Sequence, residues 1–181
     1  MNKKLVEASK FLSYVLRHKP ETINIRLDTE GWTNMQELIE AAFSYEGKTI
    51  EIEDILTIVA ENDKKRFEIS ADGKMIRAVQ GHSSKQVDRA MEAKVPPVVL
   101  YHGTADRFVE SILKKGLIPG TRHHVHLSAD LATANAVGRR HGKVVIFEVD
   151  CKQMLADGFK FYQAENGVWL TDAVPAKYLS Q

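Results

Sequence analysis

Cysteine is almost missing from this chain: Cys151 is the single thiol among 181 residues. No internal disulfide and no cysteine-built zinc cage is therefore possible. Long apolar runs are missing too, and none approaches the ~20 residues that a bilayer-spanning helix requires. Met1-Asn2-Lys3-Lys4 leads into an amphipathic pattern, not into the apolar centre of a signal peptide. No repeat or low-complexity tract occurs. An excess of one charge is also lacking. The formal net charge of +1 argues against a generic nucleic-acid coat, though not against a focused basic pocket. What remains is a globular, cytoplasmic protein with no membrane partner. Its composition is ordinary and its length suits one domain or two small ones.

What is present falls into two rhythms. Leu5, Ala8, Phe11, Leu12, Val15 and Leu16 recur at helical spacing until Lys19-Pro20 stops the run. Asp28 to Gly31 marks a turn. Thr33 and Gln36 have capping-box spacing ahead of a helical face of Met35, Leu38, Ile39, Ala42 and Phe43. A third helix carries Ile52, Ile55, Leu56 and Val59 on one side. Two strands, Arg66 to Ser70 and Lys74 to Val79, follow around Ala71-Asp72-Gly73. Three helices and a hairpin predict a winged-helix lobe over residues 1–80. The polar stretch 81–97, closed by Pro96-Pro97, reads as a linker.

Residues 98–181 read as a second lobe of strands and helices, which makes the fold class α+β. Val98 to His102 predicts a strand, with Gly103-Thr104 opening the next turn. A helix runs through Phe108, Ile112 and Leu113 to a stop at Gly116. Val125 to Ser128 is a short strand, and Ser128 is placed to cap the alanine-rich helix beyond it. Val144 to Val149 is an apolar strand. Phe159 to Gln163 and Val168 to Thr171 flank Asn166-Gly167, a strong turn signal.

Four basic positions draw attention: Arg17 and His18 at a helix end, Arg66 at the start of the hairpin, and Arg122 before a strand of the second lobe. A guanidinium grips phosphate oxygens in bidentate fashion, so several together point to a dianionic group in a cleft. Each also has a plainer reading. Arg17, His18 and Lys19 complement the helix dipole, Arg66 ends a solvated charge run, and Arg122 is a loop charge. His102-Gly103-Thr104 is a second group, since a strand-end histidine followed by glycine lets a ligand approach the backbone closely. His126 and Ser128, two apart on a strand, face one side. The histidines from 123 to 126 lack acidic or thiolate companions, so no metal is expected.

Six segments then occur in order: Leu16 to Pro20, Asp63 to Phe67, Ala78 to Ser83, Leu100 to Thr104, Arg122 to Ser128 and Ala164 to Thr171. Together they resemble the KptA family of NAD-dependent RNA 2′-phosphotransferases over nearly the whole chain. The resemblance implies a winged-helix lobe joined to an ADP-ribosyltransferase-like lobe, with the active site between them, and a setting such as tRNA processing. It implies that Arg17, His18, Arg66 and Arg122 are catalytic. It further implies that His102, Gly103, Thr104, His126 and Ser128 bind NAD, which is consumed as co-substrate.

The implied substrate is RNA bearing an internal 2′-phosphate. The phosphate attacks the nicotinamide ribose to give a 2′-phospho-ADP-ribosylated RNA. The products are nicotinamide, 2′-hydroxyl RNA and ADP-ribose 1″,2″-cyclic phosphate. Many ADP-ribosyltransferases carry a catalytic glutamate in a third motif, where this chain has Val168, with Glu165 upstream. That departure suits a phosphate acceptor, which is already anionic near neutrality. Lys64, Lys65, Arg139 and Arg140 are candidate RNA-backbone contacts, and Arg77 a candidate cleft residue. Two other readings stand beside this one. The first is an ADP-ribosyltransferase acting on nucleic-acid phosphate ends or on protein. The second is a non-enzymatic, NAD-sensing winged-helix regulator. The acidic stretch Gln36 to Glu40 disfavours the regulator as a reader of the major groove.

Overall fold

The computed structural model describes all residues, Met1–Gln181, and divides into two compact units, Met1–Ala90 and Met91–Gln181. Helices and antiparallel sheets in both units agree with the α+β class. No helix is long and apolar enough to cross a membrane.

In the first unit, α1 (Lys3–Arg17) starts at Asn2, whose side chain accepts from the Leu5 N–H at 2.9 Å. It buries Leu12, Val15 and Leu16. Pro20 cannot extend it and instead opens a short 3-10 turn, Pro20–Ile23. β1 (Thr33–Asn34), α2 (Met35–Glu46), α3 (Ile52–Glu61), β2 (Phe67–Ile69) and β3 (Met75–Ala78) follow. The strands form one antiparallel sheet in the order β1-β3-β2. Leu12, Leu16, Ile23, Met35, Leu38, Ile55, Ile58, Phe67 and Ile76 make its core.

Three expectations for the helices are corrected here. The cap of α2 is Asn34, which accepts from the Glu37 N–H at 3.0 Å. Thr33 is buried and paired with Ile76, so it is unavailable as a cap. Phe43 is 64% exposed, because Met35, Leu38 and Ala42 form the stripe that faces the core. Likewise α3 buries Ile55 and Ile58, while Ile52 and Leu56 face solvent. Residues 81–90, the first part of the stretch read as a linker, hold no helix and lie within this unit. Val87 joins its core, and Glu30 accepts from the Ala90 N–H at 3.0 Å.

The second unit contains β4 (Val99–Ala105), α4 (Val109–Lys115), β5 (Val125–Leu127), α5 (Leu131–Arg139), β6 (Val144–Asp150), α6 (Cys151–Ala156), β7 (Tyr162–Gln163), β8 (Trp169–Thr171) and β9 (Leu179–Ser180). Two three-stranded antiparallel sheets result, β4-β6-β9 and β5-β8-β7. They meet at a single bridge, Tyr101 with Ser128. Leu100, Val125, Leu127, Val149, Met154, Phe161 and Trp169 form the core. Cys151 is buried within it, and burial pushes its thiol up to about 11. Burial thus disfavours its thiolate at neutral pH.

Gly103 and Thr104 do not open a turn: β4 continues through Ala105, paired residue for residue with Ile146, Val145 and Val144. Nor does Ser128 cap α5. That task belongs to Asp130, which accepts from the Thr133 N–H at 2.7 Å.

Candidate functional site

In the first unit the geometry begins with the end of α1. A helix leaves its last carbonyls without intrahelical donors. Here the Arg17 carbonyl accepts from two backbone N–H groups, Ser83 at 2.8 Å and Ser84 at 3.0 Å. The Ser83 hydroxyl meets His18 Nδ1 at 2.8 Å. Gly81, at φ +87°, lies so close that a Cβ on it would stand 3.4 Å from Arg17 Nε. Segment 81–84 thus backs both residues of the Arg-His pair.

Arg66 joins this end of the unit through the hairpin, because its carbonyl accepts from the Val79 N–H at 3.0 Å, two residues before Gly81. The turn that delivers it is tightly organised. Buried Asn62 accepts from the Lys64 N–H at 3.1 Å through Oδ1, and Lys65 adopts φ +44°. Arg17, His18 and Arg66 are therefore gathered at one end of the unit, with exposed Lys64 and Lys65 beside them.

Arg77 does not belong to this group. It is buried, its Nη2 lies 2.8 Å from Glu68, and it stacks on Trp32 at 4.3 Å. Its cation is committed to holding the hairpin against the turn at Asp28–Gly31, where it also donates to the Glu30 carbonyl.

In the second unit His102 sits on β4 and its Nδ1 lies 3.1 Å from the His126 carbonyl oxygen. A carbonyl only accepts, so Nδ1 carries the hydrogen and Nε2 presents a lone pair. Burial above all pulls His102 below the ordinary histidine value; the carbonyl bond opposes it, and nearby His141 adds a smaller lowering. His102 is accordingly neutral near pH 7. Arg122 lies just before β5, and its Nη1 meets Nδ1 of His126, on that strand, at 3.2 Å. Since a guanidinium only donates, His126 has the opposite tautomer, with its hydrogen on Nε2. Arg122 is exposed, and the protein around its guanidinium lowers its proton affinity without removing its charge. Val125 and Leu127 point into the core, which puts His126 and Ser128 together on the other face.

Gly103 has two distinct sides. A Cβ there would lie 1.7 Å from the Ala134 carbonyl oxygen, so the strand needs glycine to admit α5. Gly138 answers it from the helix, since its own Cβ would come within 2.9 Å of the Thr104 carbonyl oxygen. Packing is thus the first reason for Gly103. The backbone gives it a second. Strand alternation turns the Gly103 N–H and C=O toward the same edge as those of Tyr101. Tyr101 exchanges both bonds with Ser128, and the bridge goes no further. The peptide groups of Gly103 therefore face the gap where β4 and β5 part, beside His102. Thr104 is buried next to it.

Segment 81–84 was visible in the sequence as Gly-His-Ser-Ser, but nothing in its spacing announced that it backs α1. The proximity of His141 to His102 left no sequence signal. Glu165 lies exposed in the turn between β7 and β8, and Val168 pairs back to Ala164.

The chain matches the family model described as RNA 2′-phosphotransferase, Tpt1 / KptA family, over residues 3–173. A Pseudomonas fluorescens protein named Probable RNA 2′-phosphotransferase is 58% identical over 180 residues, covering 99% of this chain and 98% of its own. Proteins of the same name from Pectobacterium carotovorum and Escherichia coli O6:K15:H31 are each 56% identical over 178 residues. They cover 98% of this chain and, respectively, 95% and 96% of their own.

Proposed function

The chain belongs to the RNA 2′-phosphotransferase family, Tpt1/KptA, and from that premise we propose that it removes an internal RNA 2′-phosphate by passing it to NAD⁺ in the cytoplasm. The observation that carries this reading is the span of the family match. Residues 3–173 take in both units, and with them the Arg17–His18 pair, Arg66 and the group of His102, Arg122 and His126.

The first unit reads as a winged-helix RNA lobe. Its element order α1-β1-α2-α3-β2-β3 and sheet order β1-β3-β2 support this. The second reads as an ADP-ribosyltransferase-like lobe, supported by His102-Gly103-Thr104 on β4 and His126 on β5. The residues there suit NAD⁺. The His102 Nε2 lone pair is an acceptor for a ribose hydroxyl, and the Gly103 peptide offers one donor and one acceptor to a carboxamide.

Bound NAD⁺ would supply an anomeric carbon whose nicotinamide leaves as its positive charge is quenched, together with a neighbouring 2″-hydroxyl. Arg17 and Arg66 in the first unit, and Arg122 in the second, are each suited to grip a phosphate dianion and to offset charge as it develops. In the first step a phosphate oxygen bonds to the anomeric carbon as the bond to nicotinamide breaks. In the second, the 2″-oxygen bonds to phosphorus as the bond to the RNA 2′-oxygen breaks. His18 takes the proton from the 2″-hydroxyl and returns it to the RNA 2′-oxygen. No carboxylate is needed to activate so anionic a nucleophile.

The test is incubation with NAD⁺ and a short RNA bearing one internal 2′-phosphate, with products read by mass spectrometry. Dephosphorylated RNA with ADP-ribose cyclic phosphate is expected. Intact NAD⁺ would reject the reaction. Nicotinamide with a stable ADP-ribosylated RNA would leave only its first half.

A further inference from the structure

We propose that Ser83 is a positioning residue for His18, a role that rests on the phosphotransferase reading above. His18 leaves α1 at φ −123°, ψ −48°, outside helical geometry. Ser83 reaches its ring from 65 residues further along the chain, with Oγ 2.8 Å from Nδ1.

The serine is itself held before it holds anything. Its N–H donates to the Arg17 carbonyl at 2.8 Å, and the next residue donates to the same oxygen at 3.0 Å. Ser84 is buried, and Gly81 lies against the Arg17 side chain. The hydroxyl therefore starts from a backbone bonded to the residue adjacent to His18. A loose surface serine has no such origin.

The chemistry of a hydroxyl fits the task. It accepts from Nδ1–H whether the ring is neutral or charged, which leaves the Nε2 lone pair of the neutral ring to take a proton. The contact survives both states of a histidine that gains and loses a proton in one turnover. In the second step the proton of the 2″-hydroxyl passes to His18 as the 2″-oxygen bonds to phosphorus. It moves on to the RNA 2′-oxygen as that bond to phosphorus breaks. Ser83 takes no net proton in either half.

The experiment compares Ser83→Ala, Ser83→Thr, His18→Ala and the Ser83→Ala/His18→Ala double variant in single-turnover reactions with NAD⁺ and 2′-phosphorylated RNA. Ser83→Ala should slow the second step roughly tenfold, the scale of one hydrogen bond to a charged group. ADP-ribosylated RNA should then accumulate, with KM for NAD⁺ unchanged. Ser83→Thr, which keeps the hydroxyl, should restore the rate. In the His18→Ala background the serine change should cost nothing further, because residues that act as a unit do not add. A Ser83→Ala enzyme as fast as wild type, or one whose loss repeats in full without His18, overturns the proposal.

The contact is also read without turnover, by nitrogen NMR of the imidazole. Ser83→Ala should move the His18 Nδ1 resonance, and an unmoved resonance overturns the proposal. A wild type that passes no phosphate to NAD⁺ overturns the catalytic role together with the reading beneath it. A wild type that turns over while Ser83→Ala is indifferent overturns the serine alone.

Discussion

In the first unit, Arg17 and His18 are held by a segment 65 residues away, through a hydroxyl and two peptide groups. In the second, His102 is held within the sheets, its ring bonded to a backbone carbonyl and its neighbour Gly103 pressed against a helix. The difference is one of separability. A side-chain latch is removed by one substitution with the fold left standing. A contact built from backbone and from a missing Cβ is removed only by moving the elements that make it. The support of Arg17 and His18 is thus separable from stability, whereas for His102 and Gly103 the two are bound together.

The sharpest attempt to break that contrast is Arg66→Ala. Its side chain is half-buried and its structural link runs through its backbone, so the fold should persist. Phosphate transfer should fall about 10²- to 10³-fold, the usual loss on removing one donor to developing charge, and the ADP-ribosylated intermediate should build up. Mass spectrometry beside a thermal melt checks both halves, and a lowered melt would blur the contrast.

Gly103→Ala tests the other side. Its methyl would meet the Ala134 carbonyl oxygen at 1.7 Å, so α5 must shift at a cost of about 3 kcal/mol or more. Denaturant unfolding should show this loss alongside any loss of activity, and unchanged stability would contradict the packing account.

Gly81→Ala falls between the two. Its φ of +87° strains any other residue, and the added carbon stands 3.4 Å from Arg17. We expect a destabilisation of roughly 1 kcal/mol with weakened phosphate binding.

The smallest effect is a pH dependence. His102 has its proton affinity lowered, chiefly by burial, so the unfolded chain takes up a proton that the fold resists. This contribution is complete above about 6.5, the unfolded value. It declines as pH falls below that, until the folded-state value is reached. Unfolding midpoints should drop across this acid window in wild type and drop less in His102→Gln.

Features written in adjacent residues were legible in the sequence. Lys19-Pro20 marked the end of α1, and Asp72-Gly73 and Asn166-Gly167 marked the turns before β3 and β8. Features that depend on a distant partner were not. β1 has two residues and exists because β3 pairs with it, which also displaced the expected cap from Thr33 to Asn34. Gly103 read as a turn because glycine usually breaks a strand, yet the reason for it lies on α5. Arg77 looked available until Glu68 and Trp32 enclosed it. Of the candidate residues, the type and general place were readable, while tautomers and supports were not. The opposite hydrogens of His102 and His126 follow from a carbonyl and a guanidinium that only the fold brings near.

The latch at the end of α1 also sets an order in time. A ribosome delivers Arg17 and His18 long before Ser83 and Ser84. At about 5–20 residues per second, the intervening 65 residues take roughly 3 to 13 s to make. During that interval the nascent helix carries an arginine and a histidine whose aim is not yet set. The pair gains its support only when the last stretch of the first unit emerges and closes on it. A chain interrupted before Gly81 would keep the helix and lose its aim.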